Sequence, residues 1–259
     1  HAYLLFFSNK GKVYRLKAHE IPSASRTARG TPIVNLLPLH PDERIQAVVD
    51  TRDYETNRFL FFATKNGRVK KTLFTAYDSS LKAGLIAIKL NEGDELVSVV
   101  PTNGSDHIFL VSSMGQTLRV DEEKIRSMGR TAAGVNGMKF RVDDYLVSCA
   151  VSEEEAMLLH LTTEGFGKRT EVEEFSVKGR GGLGVRGIKT TENRGTVAGA
   201  LIVKGDDDIL AVTSSGKIIR LAVSEISIQG RDATGVRVMS PGEGEIITAV
   251  SPAPTDSEA

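Results

Sequence analysis

Lysine and arginine recur along this chain at a fixed distance from glycine. The pattern Ser/Thr-x-x-Gly-x-x-x-Arg/Lys occurs five times, at Ser8–Arg15, Thr64–Lys71, Ser112–Arg119, Thr162–Arg169 and Thr213–Arg220. Other cations keep step inside the same turns: Lys12, Arg68, Lys70, Lys168 and Lys217. A second set, Arg26, Arg29, Lys82, Arg130, Lys178, Arg180 and Arg231, stands in the loop ahead of a later glycine, with Arg186 just beyond it in the fourth copy. Ammonium and guanidinium groups pair with anions, and a row of them held on one edge is suited to a phosphate backbone. Any one charge in a hairpin turn is ordinarily only solvated, so the expectation of a common basic rim rests on the repetition.

Chemistry of other kinds is poorly supported. Gly182-Leu183-Gly184-Val185-Arg186-Gly187 fits a dinucleotide fingerprint in letters, but no helical pattern follows it. The Gly-Lys pairs beginning at 11, 167 and 216 continue with Val, Arg and Ile, not Ser or Thr, so no nucleotide-phosphate loop is present. His1, His19, His40, His107 and His160 lack ligand spacing, and Asp206-Asp207-Asp208 reads as a solvated turn rather than a metal site. No catalytic residue and no cofactor is expected in this chain. The lone cysteine, Cys149, lies in an apolar run and reads as a buried, inert thiol.

Lysine plus arginine and aspartate plus glutamate both total 33, so the net charge of zero lends a polyanion no attraction at long range. Segregation of the signs has to supply it. Acidic pairs and triplets, Asp42-Glu43, Asp94-Glu95, Asp143-Asp144, Glu153–Glu155 and Asp206–Asp208, mostly stand before strands, away from the basic turns. An aromatic content of 6% without tryptophan disfavours stacking on unpaired bases and leaves duplex backbone as the expected partner. No apolar run is long enough to span a bilayer, and a cytoplasmic, monomeric domain is expected.

The elements that must position these residues follow from the repeat. The first glycines, Gly11, Gly67, Gly115, Gly165 and Gly216, are 56, 48, 50 and 51 residues apart. A second glycine, Gly30, Gly84, Gly134, Gly184 or Gly235, follows after 17 to 19 residues. Around these landmarks each unit reads as four strands. The first is apolar and ends at the glycine turn, and the second alternates basic and apolar residues. The third follows the later glycine (Ile33–Leu37, Leu85–Leu90, Val135–Phe140, Val185–Ile188, Val236–Met239), and a β-branched fourth closes the unit. One helical turn is predicted near Glu122–Ser127. The fold class is all-β, a propeller-like arrangement of five four-stranded blades of about 50 residues within one domain over 1–252. The blades are expected at about 1–50, 56–102, 105–151, 155–203 and 207–252, with 253–259 a disordered tail.

The five turns, together with Gly-Arg-Thr-Ala-Ala-Gly-Val (129–135), Gly-Arg-Gly-Gly-Leu-Gly-Val (179–185), Gly-Arg-Asp-Ala-Thr-Gly-Val (230–236) and Gly93-Asp94-Glu95-Leu96, resemble the β-pinwheel of the DNA-wrapping C-terminal domain of bacterial DNA gyrase A. The resemblance covers residues 1–252. It implies a non-catalytic domain that binds and bends duplex DNA on a basic outer rim, in company with the rest of gyrase A and with gyrase B, where ATP and Mg2+ are used. That family usually has six blades. Five are present, so the chain is expected to begin after the first, which carries the heptad Gln-Arg-Arg-Gly-Gly-Lys-Gly. The nearest match is Lys178–Gly184, with Leu183 where the heptad has lysine, and the corresponding glycines are Gly179, Gly181, Gly182 and Gly184. Simple DNA binding is thus better supported than full wrapping by this piece. The C-terminal domain of topoisomerase IV and a protein-binding propeller scaffold are the competing readings.

Overall fold

The computed structural model describes residues 2–54, 56–78 and 83–254. Among them are twenty strands, eight short 3-10 turns and no α-helix. No described helix is long and apolar enough to cross a membrane. In chain order the strands are β1 (Tyr3–Ser8), β2 (Lys12–Lys17), β3 (Ile45–Asp50), β4 (Phe59–Thr64), β5 (Arg68–Leu73), β6 (Leu85–Ile86), β7 (Leu96–Thr102), β8 (His107–Ser112), β9 (Gln116–Asp121) and β10 (Val135–Asn136). There follow β11 (Leu146–Val151), β12 (Met157–Thr162), β13 (Phe166–Glu171), β14 (Val177–Lys178), β15 (Val185–Arg186), β16 (Val197–Val203), β17 (Asp208–Thr213), β18 (Ile218–Ala222), β19 (Val236–Arg237) and β20 (Ile247–Pro252).

These strands make five sheets, one per repeat, in which the first strand is central, flanked by the second and the fourth. The first strands of the second, third and fourth repeats are buried on both faces, whereas β17 alternates buried and half-buried residues. Hence those three read as apolar runs such as Phe59–Ala63, without period-two alternation. In the fourth repeat Leu158 joins Phe109, Val111 and Phe175 on one side, whereas Leu159 and Leu161 join Ile209, Val223 and Ile226 on the other. A 3-10 turn after a second strand can push apolar side chains into such a core, as Phe74 and Tyr77 do against Phe7 and Phe62, whereas the turn over Ala18–Glu20 buries none. Burying one of these rings is worth about 2 to 3 kcal/mol.

The third strands depart from expectation. They are only two residues long, and each pairs with the second strand of the preceding repeat: β6 with β2, β10 with β5, β15 with β9 and β19 with β13. The later glycine of the second to fifth repeats makes this crossing possible. A Cβ on Gly134 would lie 2.4 Å from Val69 O, and one on Gly184 2.5 Å from Thr117 O, and both residues have positive φ. The first, second and fourth sheets therefore hold four strands. The third holds five, because β14 also runs parallel to β9, and the fifth shows three. In the first repeat the stretch expected as a third strand, Ile33–Leu37, forms a 3-10 turn over Ile33–Asn35 instead. The helical turn predicted near Glu122 is a 3-10 turn over Glu122–Lys124.

By contact density the chain divides into two units. One holds residues up to Ser105 together with Glu122–Asn136, and the other holds Asp106–Asp121 and the chain from Gly137 onward. Strand exchange explains why Glu122–Asn136 sits with the first unit, since β10 completes the second sheet. Within the units, β3 lies against β7, and β11, β16 and β20 lie side by side. The carboxylates before the fourth strands staple the hairpins. Asp94 Oδ1 accepts from Asn66 N at 3.0 Å, and Asp144 Oδ1 from Ser113 Oγ at 2.7 Å and Met114 N at 3.0 Å. Of the expected tail, Ala253 N donates to Asp208 O and Pro254 O accepts from Arg220, while residues 255–259 lie outside those described.

Candidate nucleic-acid interface

The cation that closes each turn motif is directed at the protein itself. The guanidinium of Arg15 donates to Asp78 O, and Lys71 Nζ to Glu122 O at 2.9 Å. Arg119 Nη1 donates to both Val172 O and Phe175 O at 3.1 Å, and Arg169 Nε to Ile226 O at 2.7 Å. Every one of these carbonyls belongs to, or immediately follows, the 3-10 turn of the next repeat. Glu122 O and Val172 O also accept the backbone amides of Ile125 and Phe175, so there the cation takes the second lone pair of a carbonyl already engaged in the turn. Aromatic rings back three of the clamps, Tyr3 under Arg15, Phe59 under Lys71 and Phe109 under Arg119. Arg220 bonds to Asp208 at 2.7 Å and to Pro254 O.

Two further lysines expected on the rim are interior. Lys70 and Lys168, both 0% exposed, occupy the same place in their repeats, three residues after the first glycine, where the other repeats have Tyr14, Leu118 and Ile219. Lys70 Nζ donates to Ala87 O at 2.5 Å and Arg130 O at 2.6 Å, and Lys168 Nζ to Gly230 O and, at 2.9 Å, to Arg231 O. Burial, then the Arg130 guanidinium, push the Lys70 ammonium down to about 7. Lys168 is pushed down to about 8, mainly by burial, with Glu174 and Asp232 opposing. Its strand neighbour His160 is held neutral, near 3, by burial and by Lys168, and its Nε2 lies 3.1 Å from Thr117 Oγ1. Tyr14 hydroxyl donates to the Glu43 carboxylate, whose acidity is strengthened by its backbone bond with His40 and by Tyr14, against burial. Arg68 is also turned inward, onto Ala133 O and Gly134 O.

The outward cations are a different subset. Arg26, Arg29, Lys178 and Arg180 are exposed, and Lys12, Arg130 and Arg231 are half-buried, with the Arg130 guanidinium donating to Ile86 O. Arg186 lies 3.6 Å from Asp232 and Lys217 3.8 Å from Glu245, so each is partly countered. Lys82 lies outside the described residues. The Gly-Arg loops 129–134, 179–184 and 230–235 carry Arg130, Arg180 and Arg231. Beside each loop stands an exposed lysine that the turn motif does not mark: Lys89, Lys139 and Lys189. Their backbone amides donate to Ala132 O, Gly182 O and Ala233 O at 3.2, 2.9 and 3.1 Å. A signal for them is present in the sequence, since these lysines are spaced one repeat of 50 residues apart.

The loop 179–184 has a further property. Gly184 is required by its positive φ and its approach to Thr117 O, and Gly181 by φ +83. Gly179 has nothing within 4 Å of a built Cβ, and Gly182 only Gly184 N at 3.9 Å, with no positive φ at either. Folding does not demand glycine at these two positions, and what they provide is bare backbone flanked by Lys178, Arg180 and Lys139.

The sequence pattern of the family described as DNA gyrase C-terminal domain, beta-propeller, matches residues 2–51, 58–103, 106–153, 156–204 and 207–254, one segment for each repeat. The chain belongs to that DNA gyrase C-terminal domain family. It is 44% identical over 261 residues to the DNA gyrase A protein of Mycolicibacterium smegmatis (strain ATCC 700084 / mc(2)155), spanning 100% of this chain and 31% of that protein. It is 44% identical over 250 residues to the DNA gyrase A protein of Salmonella typhimurium, spanning 96% of this chain and 28% of that protein. The chain thus spans about a third of the curated relatives it matches. Among solved structures, a DNA gyrase A C-terminal domain superposes with TM-score 0.85 at 29% identity, covering 97% of this chain and 82% of that one. The C-terminal domain of a DNA topoisomerase IV gives TM-score 0.85 at 30% identity, covering 97% and 79%.

Proposed function

We propose that this chain is the duplex-binding part of a type II topoisomerase of the gyrase kind, holding the DNA backbone on its Gly-Arg loops and bending it to direct supercoiling. The observation that carries the reading is the pairing, in three successive repeats, of a loop arginine with an exposed lysine: Arg130, whose guanidinium also reaches Ile86 O, with Lys89, Arg180 with Lys139 and Arg231 with Lys189. Backbone contact without base reading fits short loops that offer cations and bare amides but no recognition helix. The domain itself is non-catalytic on this reading, and cleavage, religation and ATP hydrolysis with Mg2+ belong to the remainder of gyrase A and to gyrase B. A topoisomerase IV C-terminal domain is the second reading, favoured by the equal likeness to that fold.

Titration of unrelated duplexes at several salt concentrations tests the proposal. If the six paired cations each neutralise one phosphate, log affinity falls against log salt with a slope of about −5. Affinity independent of salt would overturn it. A shift in linking number after plasmid relaxation on the domain is the expected sign of bending, and tight binding without such a shift would reduce the function to attachment.

A further inference from the structure

We propose that Lys70 and Lys168 are positioning residues for DNA, each fastening from beneath the Gly-Arg loop that the next repeat presents at the surface. This deepens the DNA-binding reading above and rests on it. The carbonyl that Lys70 Nζ holds at 2.6 Å is that of Arg130 itself, and the one that Lys168 Nζ holds at 2.9 Å is that of Arg231. Each ammonium therefore fixes the backbone of a half-buried loop arginine, and the Arg130 guanidinium is itself braced on Ile86 O. The same ammonium takes a second carbonyl: Gly230 O ties the loop to Lys168 at a second point, and Ala87 O, in the repeat of Lys70 itself, anchors the ammonium that holds the Arg130 loop.

The expense of these lysines is informative. Leu118 and Ile219 fill the same place in other repeats, so the strand itself needs no charge there. A buried ammonium costs several kcal/mol unless oxygens surround it, and an apolar side chain would serve packing at least as well. In the repeat with Leu118, the loop ahead is fixed by other means. Gly181 N donates to Gly137 O at 2.7 Å, Gln116 Nε2 to Leu183 O at 3.3 Å, and β14 runs beside β9. All three loops are thus tied down, and two of the ties are ammonium groups. The charged groups facing Lys168 are Glu174, Asp232 and Arg231, with neutral His160 beside it; those facing Lys70 are Arg130 and the Tyr77 hydroxyl.

The test is a double-mutant cycle on the full 259-residue chain with duplex DNA. Lys70→Met and Arg130→Ala are expected to weaken binding by a similar factor, roughly three- to tenfold, and each to lower the salt slope by about 0.9. The pair together should bind no more weakly than Arg130→Ala alone, because Lys70 acts through that arginine. Losses that add fully in log affinity, or a Lys70→Met chain that binds like its parent, would overturn the proposal. Lys70→Gln, which keeps a donor without the charge, and Lys168→Met with Arg231→Ala supply parallel cycles should Lys70→Met fold poorly. Amide hydrogen exchange of Thr131–Gly134 without DNA separates two failures. Faster exchange in Lys70→Met beside a parent that does not bind DNA overturns the DNA reading, whereas unchanged exchange overturns the fastening itself.

Discussion

Lys70 is a residue whose protonation is strongly bound to folding. Its ammonium is pushed down to about 7 in the fold, against an ordinary value of about 10.4 in the unfolded chain. Between those pH values the unfolded chain holds a proton that the folded chain lacks, so stability rises with pH across that window. The gain by the upper end is up to about 4 kcal/mol, and Lys168 adds a smaller step in the same direction above pH 8. Urea midpoints at pH 6.5 and pH 9.5 should therefore differ more in the parent than in Lys70→Met; equal differences would show that Lys70 is not the titrating group. Glycine replacements make a second residue-scale prediction. Gly134→Ala meets Val69 O at 2.4 Å in a left-handed backbone and should cost about 2 kcal/mol or more. Gly179→Ala and Gly182→Ala have room and should leave the urea midpoint unchanged while weakening DNA binding. A loss of stability at Gly179 or Gly182 would return that loop to a purely architectural role.

At the scale of elements, the clamp from a second strand to the 3-10 turn of the next repeat ties neighbours together. Arg169 holds Ile226 O, whose turn places Val223 and Ile226 in the core. Arg169→Ala removes a charged donor from a carbonyl in that joint, and a cost of about 1 to 3 kcal/mol is expected. The salt slope of DNA binding should stay as in the parent, because this guanidinium is directed inward. Lys139→Ala should do the reverse, with an unchanged melting midpoint and a slope smaller by about 0.9. Should Arg169→Ala reduce the slope as well, the clamp would also be a phosphate contact.

For the molecule as a whole, exchange of short strands makes each sheet dependent on its successor. Removing residues 207–254 would take β19 from β13 and the carbonyls of Gly230 and Arg231 from Lys168. The remaining four repeats are then expected to lose more than one fifth of the denaturant m-value, since the fourth repeat is undone along with the fifth. A loss of only one fifth would mean that the repeats fold as independent additions. Zero net charge also has a consequence at this scale. Attraction to DNA must be local, so binding should fade with salt in proportion to the loop contacts, without a further long-range component.

Five repeats, an all-β fold and the run of hairpins were legible in the sequence, because glycines needing positive φ and apolar first strands leave fixed marks at fixed spacing. Of the eight described 3-10 turns only the one near Glu122 was legible, from a brief helical period. Pairing across repeats was not. A two-residue strand such as Val135-Asn136 has the same letters whether it joins its own sheet or the one before it, and only the approach of Gly134 to Val69 O selects the partner. Periodicity likewise found the cations but not their direction. Lys70, Arg68 and Lys71 lie within four residues of one strand, and all three reach carbonyls, whereas Lys89 and Lys139 keep the same register on the outside. The direction of a cation is decided by carbonyl oxygens with a lone pair within reach, and most of these are supplied by the next repeat once the chain has folded.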